Sequence, residues 1–184
     1  MKAELERLTE RAAAEGLMDV AYATVDSPFG PLLLAVTPRG VVRIGLPNQD
    51  QETLLEDLAT RVSPRVLEAP TQLDDLRREL DLYFEGKLTD FDLPLDWRLT
   101  QGFRRKAQRA IARIPYGQTR SYTQIAASAG NQRAVRAAGT ACGTNPLPIV
   151  VPCHRVLRSG GSLGGYGGGL PMKEALLRIE GVLG

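Results

Sequence analysis

Hydrophobic positions change their spacing several times along the chain, and each change marks an element. Leu5, Leu8 and Ala12 recur at helical intervals, which predicts an amphipathic helix over Lys2 to Glu15. From Val20 the apolar residues close up into short runs: Val20 to Asp26, Pro31 to Val36 and Val41 to Leu46. The turn formers Ser27-Pro28-Phe29-Gly30 and Thr37-Pro38-Arg39-Gly40 separate them, so the runs read as three strands of a meander. Helical spacing returns over Gln51 to Val62 and Thr71 to Phe84, where Leu73, Leu76, Leu80 and Tyr83 or Phe84 share one side. Phe91 to Trp97, with Pro94 inside it, reads as a connecting segment, and a domain boundary is expected near residue 98.

Beyond that boundary Gln101 to Ile114 reads as a basic helix stopped by Pro115 and Gly117. Ser121 and Gln124 form a capping box, each side chain satisfying the other's free backbone N–H. The helix they open runs to about Ala129 and stops at Gly130, where a left-handed residue is favoured. Asn131 is placed to cap the next helix, Gln132 to about Cys142. Helix, tight glycine turn, helix is the outline of a helix-turn-helix. Leu147 to Val151 reads as a short strand-like run. A glycine-rich loop from Ser159 to Gly169 and a last helix, Pro171 to Glu180 closed by Gly181, complete the chain. The expected architecture is an α/β domain over 1–98, a short antiparallel sheet with helices, followed by a mainly α domain over 99–184.

Charge changes this picture more than composition does. The formal net charge of the 184 residues is only +2, yet residues 1–98 carry 11 basic and 19 acidic side chains. Residues 99–184 carry 12 basic and two acidic, Glu174 and Glu180. So polarised a chain is expected to present its C-terminal half to a polyanion, and nucleic acid is the fitting partner. The longest apolar run, Leu32 to Val36, is far too short to cross a bilayer. The first residues carry carboxylates where an export signal has an apolar core, so a cytoplasmic protein with reduced thiols is expected. Two cysteines and one histidine, with Cys142 and Cys153 eleven apart, do not make a metal site, and no cofactor is expected.

The sole histidine directly follows a cysteine, in Pro152-Cys153-His154-Arg155. A thiol becomes a strong nucleophile as thiolate, which needs a base or a positive charge nearby. Either Glu180 or Glu174 is available to orient the imidazole. The second helix of the helix-turn-helix, from Arg133 to Ala141, is mostly small residues. It can approach a groove closely but reads few bases, while its arginines suit phosphates or insertion into the base stack. Tyr166, among Gly164, Gly165, Gly167, Gly168 and Gly169, belongs to a loop that reads weakly as a phosphate cradle, lacking the strand-to-helix setting and a Walker lysine-serine pair, and at least as well as a mobile lid whose aromatic could cover a planar base.

Taken together these segments resemble the O6-alkylguanine-DNA alkyltransferase family, also called methylated-DNA–protein-cysteine methyltransferases. The likeness runs from Ile114 to Gly181. It includes Ile114-Pro115-Tyr116-Gly117, Ser121-Tyr122, Arg136-Ala137-Ala138-Gly139, Asn145-Pro146, Ile149 to Val156, Gly165-Tyr166, Lys173-Glu174 and Glu180-Gly181. In the N-terminal half it rests on Asp26 to Pro31 leading into an apolar strand. The resemblance implies an RNase H-like first domain and a winged-helix-like second one. It implies a single-turnover methyltransferase that moves an alkyl group from O6 of guanine, and by extension O4 of thymine, onto Cys153. His154 would act as base through a water, with Glu180 holding the imidazole and Asn145 fixing the turn of the cysteine loop. Tyr122 would help rotate the nucleotide and hydrogen-bond the leaving guanine. Arg136 would fill the gap left by the flipped base, the helix carrying Arg133, Ala137 and Gly139 lying in the minor groove of double-stranded DNA. Tyr166, Gly167, Val156, Pro148 and Cys142 would line the pocket, Cys142 as a wall residue or a second, slower thiol. A monomer that touches no membrane is expected.

The chain departs from the family at Lys106-Ala107-Gln108-Arg109, where a Val-Trp pair is usual, and it has no cysteine or histidine in its first half for the zinc that some relatives carry. Competing readings are a lesion binder without transfer, a helix-turn-helix regulator whose Cys-His pair is structural or redox-sensing, and a Cys-His hydrolase. The full motif around Cys153 speaks against the first. The scarcity of base-reading side chains speaks against the second, and the lack of an oxyanion loop against the third.

Overall fold

A computed structural model describes residues 2–184; Met1, the first residue of the carboxylate-bearing start, and the side chains of Lys2, Ala3, Leu5 and Glu6 lie outside the described set. The chain divides into two compact units. One takes the residues up to Asp81 and Asp92–Leu99, the other Leu82–Phe91 and Thr100–Gly184.

The first unit opens with helix α1 (Lys2–Ala14). The helical period of its apolar residues is right, but Leu8 stands 57% exposed, so the expected apolar face is not buried there. Strands β1 (Val20–Val25), β2 (Leu32–Thr37) and β3 (Gly40–Gly45) form the predicted antiparallel meander. A fourth strand absent from the sequence reading, β4 (Val66–Glu68), adds parallel to β1 and gives the sheet order β3-β2-β1-β4. Helix α2 (Gln51–Arg61) starts where the Asp50 carboxylate accepts from the Thr53 amide at 2.8 Å. Its Leu58 packs with Val20, Ala35, Val42 and Leu99 in a core closed off by Tyr22, Leu55 and Val66. Helix α3 (Asp74–Phe84) follows a 3₁₀ turn at Pro70–Leu73, so the predicted helix is there but begins more tightly wound.

The segment after Phe91 does more than connect. The Val41 amide donates to the Pro94 carbonyl at 2.8 Å and the Asp96 amide to the Val41 carbonyl at 2.8 Å, pinning this stretch along β3. Gly40 makes that possible, because at φ +127° a Cβ would lie 2.1 Å from the Pro94 oxygen.

In the second unit the basic helix is α4 (Gly102–Ile111). The capping box opens α5 (Tyr122–Ser128) as predicted, with Gly130 at φ +95° ending it. Helix α6 (Val135–Gly143) begins later than expected. Asn131 does not cap it; its Oδ1 accepts from the Arg133 amide at 3.1 Å in a local turn, and that turn takes up residues 132–134. Arg133 therefore precedes the helix. Leu147 to Val151 is not a strand either. Its backbone folds into successive turns with Ile149 at φ +76°, a costly conformation for a β-branched residue. A 3₁₀ turn at Cys153–Arg155 leads into β6 (Val156–Leu157), which pairs in parallel with β5 (Arg120–Ser121), and α7 (Leu170–Ile179) closes the fold. Among the described residues no helix is long and apolar enough to cross a membrane.

Candidate active site

Tight turns after α6 deliver the cysteine. The Asn145 amide is the knot: its Oδ1 accepts from the Leu147 amide at 3.0 Å, and its Nδ2 donates to the Val151 carbonyl at 2.8 Å. The same Nδ2 lies 3.3 Å from Cys153 Sγ, so the side chain that shapes the loop also touches the sulfur. Leu147, Ile149 and Val151 are fully buried and anchor the turns from below.

Cys153 is 4% exposed, and that exposure faces a cavity of about 390 Å³ lined by Tyr122, Gly139, Cys142, Gly143, Cys153, Gly165, Tyr166 and Gly167. A space of this size accommodates a small planar ligand. Burial pushes the Cys153 thiol up, opposed by the Asn145 hydrogen bond, the Lys173 charge and nearby backbone amides. A resting thiol that does not ionise unaided needs a base when it reacts. Cys142 is pushed up to about 12, by burial and then by the neighbouring Cys153.

His154 is fully buried behind the cysteine, its Nε2 2.7 Å from Glu180 Oε1. The Glu180 carboxylate is heavily solicited. Arg155 reaches it with a fork, Nε to Oε2 at 2.8 Å and Nη2 to Oε1 at 2.9 Å, and the Tyr83 hydroxyl donates to Oε1 at 2.6 Å. Burial alone would raise the carboxyl, but the hydrogen bonds from His154 and Arg155, joined by Tyr83, hold it at about 2. An ionised Glu180 only accepts, so the proton between it and the imidazole belongs on Nε2. Nδ1 then carries the lone pair, and it is buried without a hydrogen-bond partner in the protein. Burial also lowers the His154 pKa against the pull of Glu180, so the ring is neutral at pH 7. A neutral imidazole with a fixed tautomer and an unengaged Nδ1 is built to take a proton.

The glycine loop is held from beneath. Lys173 is fully buried, and its Nζ donates to the carbonyls of Val156 (2.7 Å), Leu163 and Gly165 (3.3 Å). This fixes the loop that presents Tyr166, whose ring meets His154 edge-on at 6.4 Å while its hydroxyl is buried without a partner. Gly164, at φ +68°, leaves room for Tyr122, whose hydroxyl would sit 3.0 Å from a Cβ there.

The structure thus brings together Cys153, His154, Glu180, Asn145, Tyr122, Tyr166, Gly167, Gly139 and Cys142. Pro148 and Val156 are buried but do not line the cavity, and the Val156 carbonyl already accepts from Lys173. Arg136 and Ala137 are exposed on α6, and Arg133 is exposed in the turn before it. Three contributors escaped the sequence reading: Tyr83, Arg155 and Lys173. Arg155 and Lys173 stood inside recognised motifs, but nothing in the spacing showed a fork to Glu180 or a cation under the loop. Tyr83 lay on an apolar helix side and read as core. At the departure from the family pattern, Gln108 is fully buried and donates from Nε2 to the Ala141 carbonyl at 3.0 Å, tying α4 to α6.

A second cavity of about 400 Å³, in the first unit, is lined by β-strand residues with Asp19, Gln72, Asp75 and Pro94, and holds no thiol or imidazole. Among the described residues no group of three or more His, Cys, Asp or Glu could hold a metal ion.

Fold and site define a two-unit protein whose helix-turn-helix half carries a buried thiol lining a cavity, directly followed in the chain by a histidine bound to a carboxylate. Comparison with known proteins gives the family. Residues 102–182 match the family described as 6-O-methylguanine DNA methyltransferase, DNA binding domain, and residues 20–97 match its ribonuclease-like domain. The chain belongs to the 6-O-methylguanine DNA methyltransferase family. The methylated-DNA–protein-cysteine methyltransferase of Mycolicibacterium paratuberculosis is 44% identical over 161 residues, 88% of this chain and 92% of the relative. An inducible enzyme of that name from Bacillus subtilis is 42% identical over 148 residues, covering 80% and 82%. The crystal structure of Mycobacterium tuberculosis OGT in complex with DNA superposes with a TM-score of 0.74 at 40% identity, covering 87% of this chain and 92% of that one.

Proposed function

We propose that this chain repairs DNA by moving an alkyl group from O6 of guanine to Cys153, in one irreversible step per molecule. The observation that carries the reading is Cys153 lining the cavity, followed in the chain by a buried, carboxylate-bound His154 whose Nδ1 has no hydrogen-bond partner in the protein. Membership of a family of methylated-DNA–protein-cysteine methyltransferases supplies the substrate class.

In this reading Sγ attacks the alkyl carbon in line, the carbon–oxygen bond breaks, and its electron pair goes to the guanine oxygen. The thiol proton passes through a water to His154 Nδ1, and Glu180 stabilises the imidazolium as it forms. Tyr122, at the cavity wall, hydrogen-bonds the leaving base. The guanine anion so formed takes up a proton through Tyr122 and solvent while the imidazolium returns its own to solvent, so the products are guanine and a thioether; a carbon–sulfur bond of this kind offers no easy leaving step, and the protein is spent. A base inside a duplex cannot reach a buried sulfur, so the nucleotide is flipped out. The small-residue helix α6 lies in the minor groove, Arg136 occupies the gap in the stack and Arg133 lies against phosphate. Residues 1–98 serve as a structural domain and 99–184 as the DNA-binding and acceptor domain, in a cytoplasmic monomer.

The test is stoichiometry. Incubation with duplex DNA containing O6-methylguanine is expected to consume one lesion per protein molecule and to add one methyl group to the protein. Cys153→Ser should add none. Many lesions removed per molecule, or binding without transfer, would overturn the proposal in favour of a turnover enzyme or a lesion binder.

A further inference from the structure

Tyr83 is a fully buried tyrosine whose hydroxyl spends itself on the histidine–carboxylate pair. It donates to Glu180 Oε1 at 2.6 Å, and its oxygen lies 3.2 Å from His154 Nε2. Its ring is boxed by aromatic neighbours, Phe84 at 5.7 Å, Phe91 at 5.3 Å and Tyr116 at 6.3 Å between centroids. Such a ring cannot swing away without opening the core. The Tyr116 hydroxyl is occupied elsewhere, donating to the Ile179 carbonyl at 2.8 Å. Three donors therefore converge on one carboxylate oxygen: Tyr83 Oη, His154 Nε2 and Arg155 Nη2.

We propose that Tyr83 is a positioning residue that sets the orientation and basicity of His154 by sharing Glu180 Oε1 with it. The inference rests on the functional reading above, in which His154 is the base. The logic is that of hydrogen bonds competing for one anion. Each donor to Oε1 draws off negative charge and so weakens that oxygen's hold on an imidazolium. With Tyr83 in place the carboxylate is strong enough to fix the Nε2–H tautomer, yet not so strong as to keep the ring protonated at neutral pH. The tyrosine also fixes where Oε1 sits, and so where Nδ1 points. Arg155 cannot replace it, because the guanidinium forks across both carboxylate oxygens from another direction and is tied to the Ile114 carbonyl.

The test is Tyr83→Phe, which keeps the ring and removes the oxygen. His154 is the only histidine in the chain, so its imidazole resonances can be followed by NMR without ambiguity. Tyr83→Phe is expected to raise the His154 pKa and to move the acid limb of the transfer rate upward by roughly half a unit or more. The transfer rate itself is expected to fall roughly ten-fold. Because the tyrosine acts through Glu180, adding Tyr83→Phe to Glu180→Gln should cost little further rate. An unmoved titration, or losses that multiply in the double variant, would overturn the proposal, as would a lower melting temperature with an unchanged acid limb. Should the variant fail to fold, the native protein still decides. Its neutral imidazole must carry the proton on Nε2, and an Nδ1–H tautomer at neutral pH would sink the arrangement. The titration is read without DNA. A shifted His154 pKa in a protein that transfers no methyl would therefore refute the function while leaving the Tyr83 linkage standing.

Discussion

Replacing Asn145 by alanine separates what shapes the cysteine loop from what reacts in it. The side chain satisfies the Leu147 amide at 3.0 Å and the Val151 carbonyl at 2.8 Å, both on buried residues, and donates to Cys153 Sγ at 3.3 Å. Its loss leaves the Leu147 amide without its side-chain acceptor, at about 1–3 kcal/mol, and takes one of two donors from the Val151 carbonyl, which keeps the Cys153 amide at 2.8 Å, at about 0.5–1.5 kcal/mol. The left-handed Ile149 stores strain of about 1–3 kcal/mol that the native turn holds in place, and its relaxation in the variant offsets part of the loss. A net destabilisation of about 2–3 kcal/mol is expected, lowering the melting temperature of a chain of 184 residues by roughly 4–12 °C. Calorimetry reads that loss. A single-turnover assay at a temperature where the variant is folded should show methyl transfer slowed at least about ten-fold, since the sulfur loses its donor and its fixed place. Asn145→Asp divides the effects. It keeps an acceptor for the Leu147 amide and so recovers part of the stability, but it sets a negative charge against Sγ and pushes the thiol further up, leaving the rate low. An alanine variant that melts within about 2 °C of the native protein and reacts within about two-fold of its rate would refute the reasoning.

Three further outcomes follow from the same structure. Stability should fall on acidification from about pH 6.5 downward, because the unfolded imidazole, with its ordinary value of 6.5, takes a proton that the buried His154 refuses. Below 4.5 the unfolded carboxyl of Glu180 is protonated while the folded one, held at about 2, still resists, so the loss continues; melting temperature against pH measures both. On the alkaline side the raised pKa of Tyr83 has the opposite sign, with stability present below pH 10 and lost above it. In the first unit, Gly40→Ala forces a Cβ to within 2.1 Å of the Pro94 oxygen at a φ of +127°. It should cost about 3 kcal/mol in chemical denaturation, by tearing the Pro94–Asp96 segment from β3.

Local signals in the sequence were strong where one short rule decides the outcome. The alternation of apolar runs with Pro-Gly turns gave β1 to β3, and the Ser121–Gln124 box opened α5 where it was expected. Rules failed where a competing partner lay far off or conformation overrode composition. β4 is three residues long and owes its existence to pairing with β1, more than forty positions earlier. Asn131 prefers a local turn to the cap, delaying α6. The apolar run at 147–151 has the composition of a strand, but Asn145 and the left-handed Ile149 wind it into turns. At the site, the thiol, imidazole and Glu180 were legible because they belong to motifs that fit known chemistry. Tyr83 was not: its hydroxyl meets its partners 71 and 97 residues away, and an aromatic on an apolar helix side looks like packing.

The central claim is that one of two thiols facing the same cavity accepts the alkyl group, and one peptide decides it. Cleavage after Arg136 and Arg155 releases Ala137 to Arg155, which holds both Cys142 and Cys153. After reaction with O6-methylguanine duplex, tandem mass spectrometry of that peptide should place a single methyl on Cys153, in an amount equal to the guanine restored. A methyl on Cys142, or restored guanine with neither thiol modified, would contradict the account.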